Sequence, residues 1–92
     1  MACNAVHMMA RGRVQGVGFR FFVRDHAARL GVKGWVRNQA DGSVEIHAEG
    51  RKDILDDFID IVRDGPRFGR VSDLDIEWIE PDNRYVSFNI EY

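Results

Sequence analysis

The spacing of apolar residues along the chain predicts two amphipathic helices. Apolar side chains return every three or four residues over positions 19–30, and Gly31 follows at the point where left-handed glycines commonly end a helix. The same period runs over 52–64, and Gly65 and Pro66 then stop it. In the second helix the predicted core positions are Ile54, Leu55, Phe58, Ile61 and Val62, with the intervening aspartates in water.

Alternation of apolar and polar residues predicts strands in the remaining segments. The predicted strands are 5–11, 33–39, 43–49, 71–79 and a short closing strand after the turn at Pro81. The second and third are joined at Asp41-Gly42, a common hairpin sequence. The inward-facing residues predicted for the last two strands are Leu74, Ile76, Trp78, Val86, Phe88 and Ile90.

The order of these elements predicts a fold class. Strand, helix, strand, strand, helix and strand, joined by right-handed split crossovers, form a ferredoxin-like α+β sandwich. We expect an antiparallel sheet, two helices on one face and a short extra C-terminal strand, in a single domain over 1–92. The first two strands are then parallel, so both end at the same edge of the sheet.

Charge and cysteine content exclude several classes of protein. The net charge of the 92 residues is −2, but residues 11–37 carry +6 and residues 38–92 carry −8. This balance argues against a uniformly basic nucleic-acid or membrane binder and leaves room for a local anion site. Cys3 is the only cysteine, which excludes an internal disulfide. With no apolar run long enough to span a bilayer and no signal-peptide pattern, we expect a cytoplasmic protein.

The histidines and Trp35 have simple structural interpretations. His7, His26 and His47 fall in different elements without metal-ligand spacing, so we expect ordinary surface or edge residues and no metal site. Trp35 is expected to pack in the core.

Candidate chemistry is concentrated in the glycine-rich segment 12–20, which links the first strand to the first helix. Its glycines let successive backbone N–H groups converge on an anion, the helix dipole adds positive potential, and Arg20 offers two further donors. The segment lacks the Gly-Lys-Ser/Thr of a nucleotide P-loop. We therefore expect a site for a single phosphate, the alternative being a simple connector with a surface arginine.

Asn38, at the end of the second strand, is expected at the same edge as this loop. An amide both donates and accepts, so it can orient a water molecule without acting as a base. The alternative is that Asn38 only begins the hairpin turn.

Together, two segments resemble the signature motifs of the acylphosphatase family: RGRVQGVGFR over 11–20 and GWVRNQADGSVEIHAEG over 34–50. The chain length is that of a free-standing member. The resemblance implies hydrolysis of small acyl phosphates without metal or cofactor, by a monomer inhibited by its product, inorganic phosphate. Asn38 would position the attacking water, and the catalytic clamp would be Arg20. The implied phosphate-binding residues are Gln15, Gly16, Val17, Gly18, Phe19 and Arg20.

Two other classes of function remain as alternatives. RNA-recognition motifs share this element order, but they stack bases on aromatic residues of central strands, and segment 43–49 has no aromatic residue and two acids. The second alternative is a phosphate-binding module without turnover, or a relative of the acylphosphatase-like domains of larger carbamoyl-transfer enzymes.

Overall fold

The computed structural model describes residues 3–92 and contains both predicted helices and all five predicted strands. The elements are β1 (Asn4–Arg13), α1 (Phe19–Leu30), β2 (Lys33–Asn38), β3 (Val44–Gly50), α2 (Lys52–Asp64), β4 (Arg70–Ile79) and β5 (Phe88–Glu91). Both helix predictions are confirmed. Neither helix in the described part is long and apolar enough to cross a bilayer.

The five strands form one sheet in the order β4-β1-β3-β2-β5. The pairs β4-β1, β1-β3 and β3-β2 are antiparallel, which confirms the ferredoxin-like arrangement. The closing strand β5 instead runs parallel to β2 and makes the sheet mixed at that edge. Ala10 of β1 and Asn38 of β2 both lie opposite Val44, so β1 and β2 do end at one edge of the sheet.

Both helices pack on one face of the sheet and enclose the apolar core. In α2 the buried residues are Leu55, Phe58, Ile59 and Val62, which recur at intervals of three and four. Ile59 therefore occupies the core position predicted for Ile61, which lies at the rim and is only partly buried. Burial of each such side chain contributes about 1.5–3 kcal/mol.

Two predicted core positions are exposed instead. Trp78 is 42% exposed because β4 is an edge strand, and the Lys52 ammonium lies 5.0 Å from its ring centre. Val86 is 86% exposed because it precedes β5 and belongs to the connection from β4.

The face of the sheet without helices, called the open face below, carries a buried polar group that was not predicted. His47 is buried, not a surface residue, and its Nε2 lies 2.6 Å from Oε2 of Glu49. The Trp35 ring stacks on the His47 ring at 5.8 Å between centres, so Trp35 lies on this face and not in the core. Glu49 also accepts the backbone N–H groups of Asp82 and Asn83, at 2.7 and 3.0 Å. The group therefore attaches the β4–β5 connection to the sheet.

Glu49 is expected to make stability depend on pH. Burial opposes its ionisation, but the backbone N–H groups and His47 outweigh burial and hold the pKa of Glu49 below the ordinary 4.5. A depressed folded-state pKa contributes stability above the unfolded-state pKa and loses it as pH falls through the folded-state value. Glu49→Gln is expected to lower the unfolding free energy at pH 7 by about 2–4 kcal/mol.

Urea unfolding of both proteins at pH 7 and below pH 4.5 measures this contribution. The deficit of Glu49→Gln is expected to shrink in acid, while the exposed control Glu77→Gln stays close to the parent at both pH values. An equal deficit at both pH values would contradict the assignment.

Candidate active site

The loop between β1 and α1 alternates in backbone conformation. Gly16 and Gly18 have φ angles of 75° and 76°, whereas Gln15 and Val17 have negative φ. Such alternation turns successive N–H groups toward one point and forms an anion-binding nest. Val14 and Phe19, at the two ends of the loop, are each 1% exposed, so the core holds the loop in place.

The backbone N–H groups of this loop are free to bind a ligand. Among the hydrogen bonds within residues 3–92, none has a backbone N–H of residues 15–21 as its donor. The first helical bond of α1 runs from the Phe22 N–H to the Gly18 carbonyl, at 3.0 Å. The positive end of the helix dipole therefore lies at the nest and adds to its attraction for an anion.

The side chain of Gln15 has a structural role that was not predicted. Its Nε2 donates to the backbone carbonyls of Gln39 and Ser43, at 2.8 and 2.9 Å. These bonds fasten the loop to the β2–β3 hairpin and leave the backbone N–H as the only donor of Gln15 that is free for a ligand. No local sequence pattern indicates this contact, because its partners lie 24 and 28 residues away.

Arg20 lies in the first turn of α1, and its guanidinium carbon is 5.2 Å from the centre of the Tyr92 ring. In the parallel pair of β2 and β5, Glu91 lies opposite Arg37. The next residue, Tyr92, therefore lies level with Asn38 at the edge of the sheet. The structure therefore brings Arg20 and Asn38 to the same edge. Contact with Tyr92 was not predicted, and its cation–π attraction restricts the orientation of the Arg20 side chain.

Asn38 is the last residue of β2 and its side chain is exposed. The side chains of Arg37 and Gln39 donate to Glu45, whereas that of Asn38 has no partner among residues 3–92. The prediction that Asn38 lies at the loop edge is confirmed, because Gln39, its neighbour in the chain, accepts the hydrogen bond from Gln15. Its amide is available to a water molecule.

Asp41 is the carboxylate of the hairpin turn, as predicted. One of its oxygens accepts both the hydroxyl and the backbone N–H of Ser43, and these bonds lower the pKa of Asp41. A carboxylate with a lowered pKa is a poor general base. The turn therefore accounts for Asp41 without a catalytic role.

Two surface depressions among residues 3–92 lie outside the loop. Shallow depressions of about 210 and 220 Å³ lie on the open face, one beside Asp41 and the other beside His7, and residues 15–20 line neither of them. The candidate site is thus an exposed rim of donors, which suits a small anionic group better than a large ligand.

Three possible metal ligands also come together among the described residues. Ligand atoms of His47, Glu49 and Asp82 lie within 4.8 Å of one another. The hydrogen bonds to the β4–β5 connection already occupy both oxygens of Glu49. Glu49 lies five residues along β3 from Val44, about 17 Å from the loop edge, so this cluster is separate from the candidate active site.

Comparison with known proteins agrees with this geometry. The acylphosphatase family model matches residues 6–90. An acylphosphatase of Salinibacter ruber is 49% identical over 86% of this chain and 83% of its own length. The crystal structure of acylphosphatase from Bacillus subtilis has a TM-score of 0.93 and 38% identity, covering 97% of this chain and 99% of that chain. Full-length HypF, in its phosphate- and nucleotide-bound form, has a TM-score of 0.87 and 26% identity over 99% of this chain but 12% of its own. The chain belongs to the acylphosphatase family.

Proposed function

We propose that this acylphosphatase-family hydrolase cleaves the carboxyl-phosphate bond of small acyl phosphates at the loop over 15–20. The observation that carries the proposal is the nest of free backbone N–H groups at the start of α1, with Arg20 beside it and Asn38 at the same edge. In this proposal the backbone of Gln15 to Phe19 holds the phosphate and Arg20 clamps its charge.

Asn38 positions the attacking water in line with the scissile bond. The water oxygen bonds to phosphorus as the bond from phosphorus to the acyl oxygen breaks. The electron pair of that bond leaves with the carboxylate, and a phosphate oxygen takes the proton of the water. The products are a carboxylate and inorganic phosphate.

This reaction requires few catalytic groups from the protein. A carboxylate is a stable leaving group, so no general acid is needed. The substrate itself accepts the proton of the water, so no protein base is needed, and the Asp41 carboxylate is already bonded to Ser43 in the turn. What remains for the protein is charge neutralisation and alignment.

We make further proposals about the need for a metal, inhibition by the product and the state of the protein in the cell. The protein acts without metal or cofactor, since backbone N–H groups and Arg20 supply the positive potential. Inorganic phosphate, as product, inhibits by occupying the same nest. We also propose that residues 1–92 act as one domain, as a monomer, in the cytoplasm.

Release of phosphate from acetyl phosphate in the presence of EDTA tests the function directly. We expect turnover well above spontaneous hydrolysis, unchanged by the chelator and inhibited by added inorganic phosphate. Release that depends on added Mg²⁺ would contradict the metal-free mechanism.

A second candidate function is a phosphate-binding domain without turnover. Its basis is that the similar HypF structure is phosphate-bound and that the matched region is only 12% of that longer chain. Binding of inorganic phosphate with no release from acetyl phosphate would support this candidate over the enzyme. RNA binding is disfavoured because the central strand β3, Val44–Gly50, has no Phe, Tyr or Trp on which a base could stack.

A further inference from the structure

Three exposed arginines lie at the end of β1, at the start of β4 and just before β4, next to the start of the active-site loop. Arg13 ends β1 and lies directly opposite Arg70 of β4, and Arg67 lies just before β4 in the turn over 66–69. Like charges directly opposite each other in a sheet are destabilising. Within residues 3–92 none of the three forms an ion pair with a carboxylate, so the fold does not compensate this concentration of charge.

Other arginines on the open face are neutralised by protein carboxylates. Arg11, two residues before Arg13, lies 2.6 Å from Asp75 and 3.4 Å from Asp73. Arg37 lies 2.9 Å from Glu45. Asp73, Asp75 and Glu45 are thus paired with Arg11 and Arg37, whereas Arg13, Arg67 and Arg70 have no such partner among residues 3–92 and remain available to an external anion.

The position of this group relative to the loop follows from the strand order. Arg13 lies two residues before Gln15, and a Cβ added at Gly69 would come within 3.1 Å of the Arg13 carbonyl oxygen. The turn over 66–69 therefore packs against the start of the loop on the β4 side. Asn38 lies on β2, which is separated from β1 by β3 on the opposite side.

In-line displacement assigns a different reacting group to each side of the loop. The attacking water and the leaving carboxylate lie on opposite sides of phosphorus. If Asn38 holds the water on the β2 side, as the proposed function requires, the acyl group extends toward β4 and the three arginines.

We propose that Arg13, Arg67 and Arg70 form an acyl-side subsite that favours acyl phosphates whose acyl chain ends in a second carboxylate. This inference rests on the proposed hydrolysis of acyl phosphates and adds the class of acyl group. A carboxylate at the end of a short chain gains charge-assisted hydrogen bonds from the arginines, whereas an alkyl end gains none. The guanidinium of Arg67, 5.6 Å from the centre of the exposed Phe68 ring, is held at the tip of the turn by cation–π attraction.

Succinyl phosphate and butyryl phosphate test the subsite, because they share a four-carbon chain and differ in the terminal carboxylate. We expect the parent protein to have a kcat/KM about three- to tenfold higher for succinyl phosphate at low salt, and this preference to fall as salt is added. The double variant Arg67→Gln/Arg70→Gln is expected to lose most of the preference. Arg29→Gln, which removes an exposed charge from the last turn of α1, is expected to keep it.

Different results would overturn the subsite and the proposed function. Turnover of butyryl phosphate without a preference for succinyl phosphate, or with a preference that the double variant retains, overturns the subsite and leaves the proposed function standing. An equal loss of preference in Arg29→Gln overturns the subsite as well, since it shows an effect of net charge. No turnover of either compound overturns the proposed function and the subsite with it.

Discussion

Arg20→Gln is expected to remove turnover of acetyl phosphate and inhibition by inorganic phosphate together. Glutamine retains hydrogen-bonding capacity but lacks the charge and the two-pronged geometry with which arginine binds phosphate oxygens. Charge develops on these oxygens in the transition state, so we expect kcat/KM to fall by about 10³-fold or more. Initial rates of phosphate release and the inhibition constant of phosphate measure the two effects.

Arg29→Gln is the matched control, because it removes the same charge from the opposite end of α1. We expect its rates to stay near those of the parent. Loss of the Arg20–Tyr92 contact is expected to cost only about 0.5–1 kcal/mol of stability, so thermal unfolding should show that Arg20→Gln remains folded. A folded Arg20→Gln protein that phosphate still inhibits normally would refute the clamp.

Asn38→Ala is expected to separate catalysis from binding. Without the amide, the water loses the group that aligns it with phosphorus, and we expect kcat to fall by about 10²-fold. The nest and Arg20 are unchanged, so the inhibition constant of inorganic phosphate should stay at its parent value. Because Asn38 is exposed and its side chain has no partner among residues 3–92, the substitution should leave stability nearly unaltered.

Asn89→Ala provides the control for Asn38→Ala. Asn89 is also an exposed strand asparagine, but it lies on β5 and pairs with Trp35, away from the loop edge. We expect parent rates for this variant. If Asn38→Ala weakened phosphate inhibition as strongly as it lowered kcat, Asn38 would be a binding residue and not a water-positioning one.

The helices were predictable because local spacing determines them. The period of apolar residues identified α1 and α2, and left-handed Gly31 and positive-φ Gly65 end them where predicted. Errors arose where burial depends on the neighbouring element. Ile59 replaces Ile61 in the core, and Trp78 remains exposed because β4 has no strand beyond it.

In the candidate site, the sequence located the loop but not the contacts that hold it. Glycine spacing and the helix start predicted the anion nest, and strand order predicted that Asn38 shares its edge. The bonds from Gln15 to the hairpin and the contact of Arg20 with Tyr92 join residues far apart in the chain. No local pattern predicts these contacts, because they depend on which strands lie side by side in the sheet.

Taken alone, the sequence determined the elements, the ferredoxin-like order and the position of the nest, because backbone conformation and apolar period are local properties. The tertiary structure decided the parallel pairing of β5 and the burial of His47 and Glu49. It also decided how charges are grouped. Acids from β3 and β4 partly neutralise the positive segment over 11–37, and Arg70, from the acidic half of the chain, lies opposite Arg13. Electrostatic potential depends on distance in space, and only the folded sheet sets those distances.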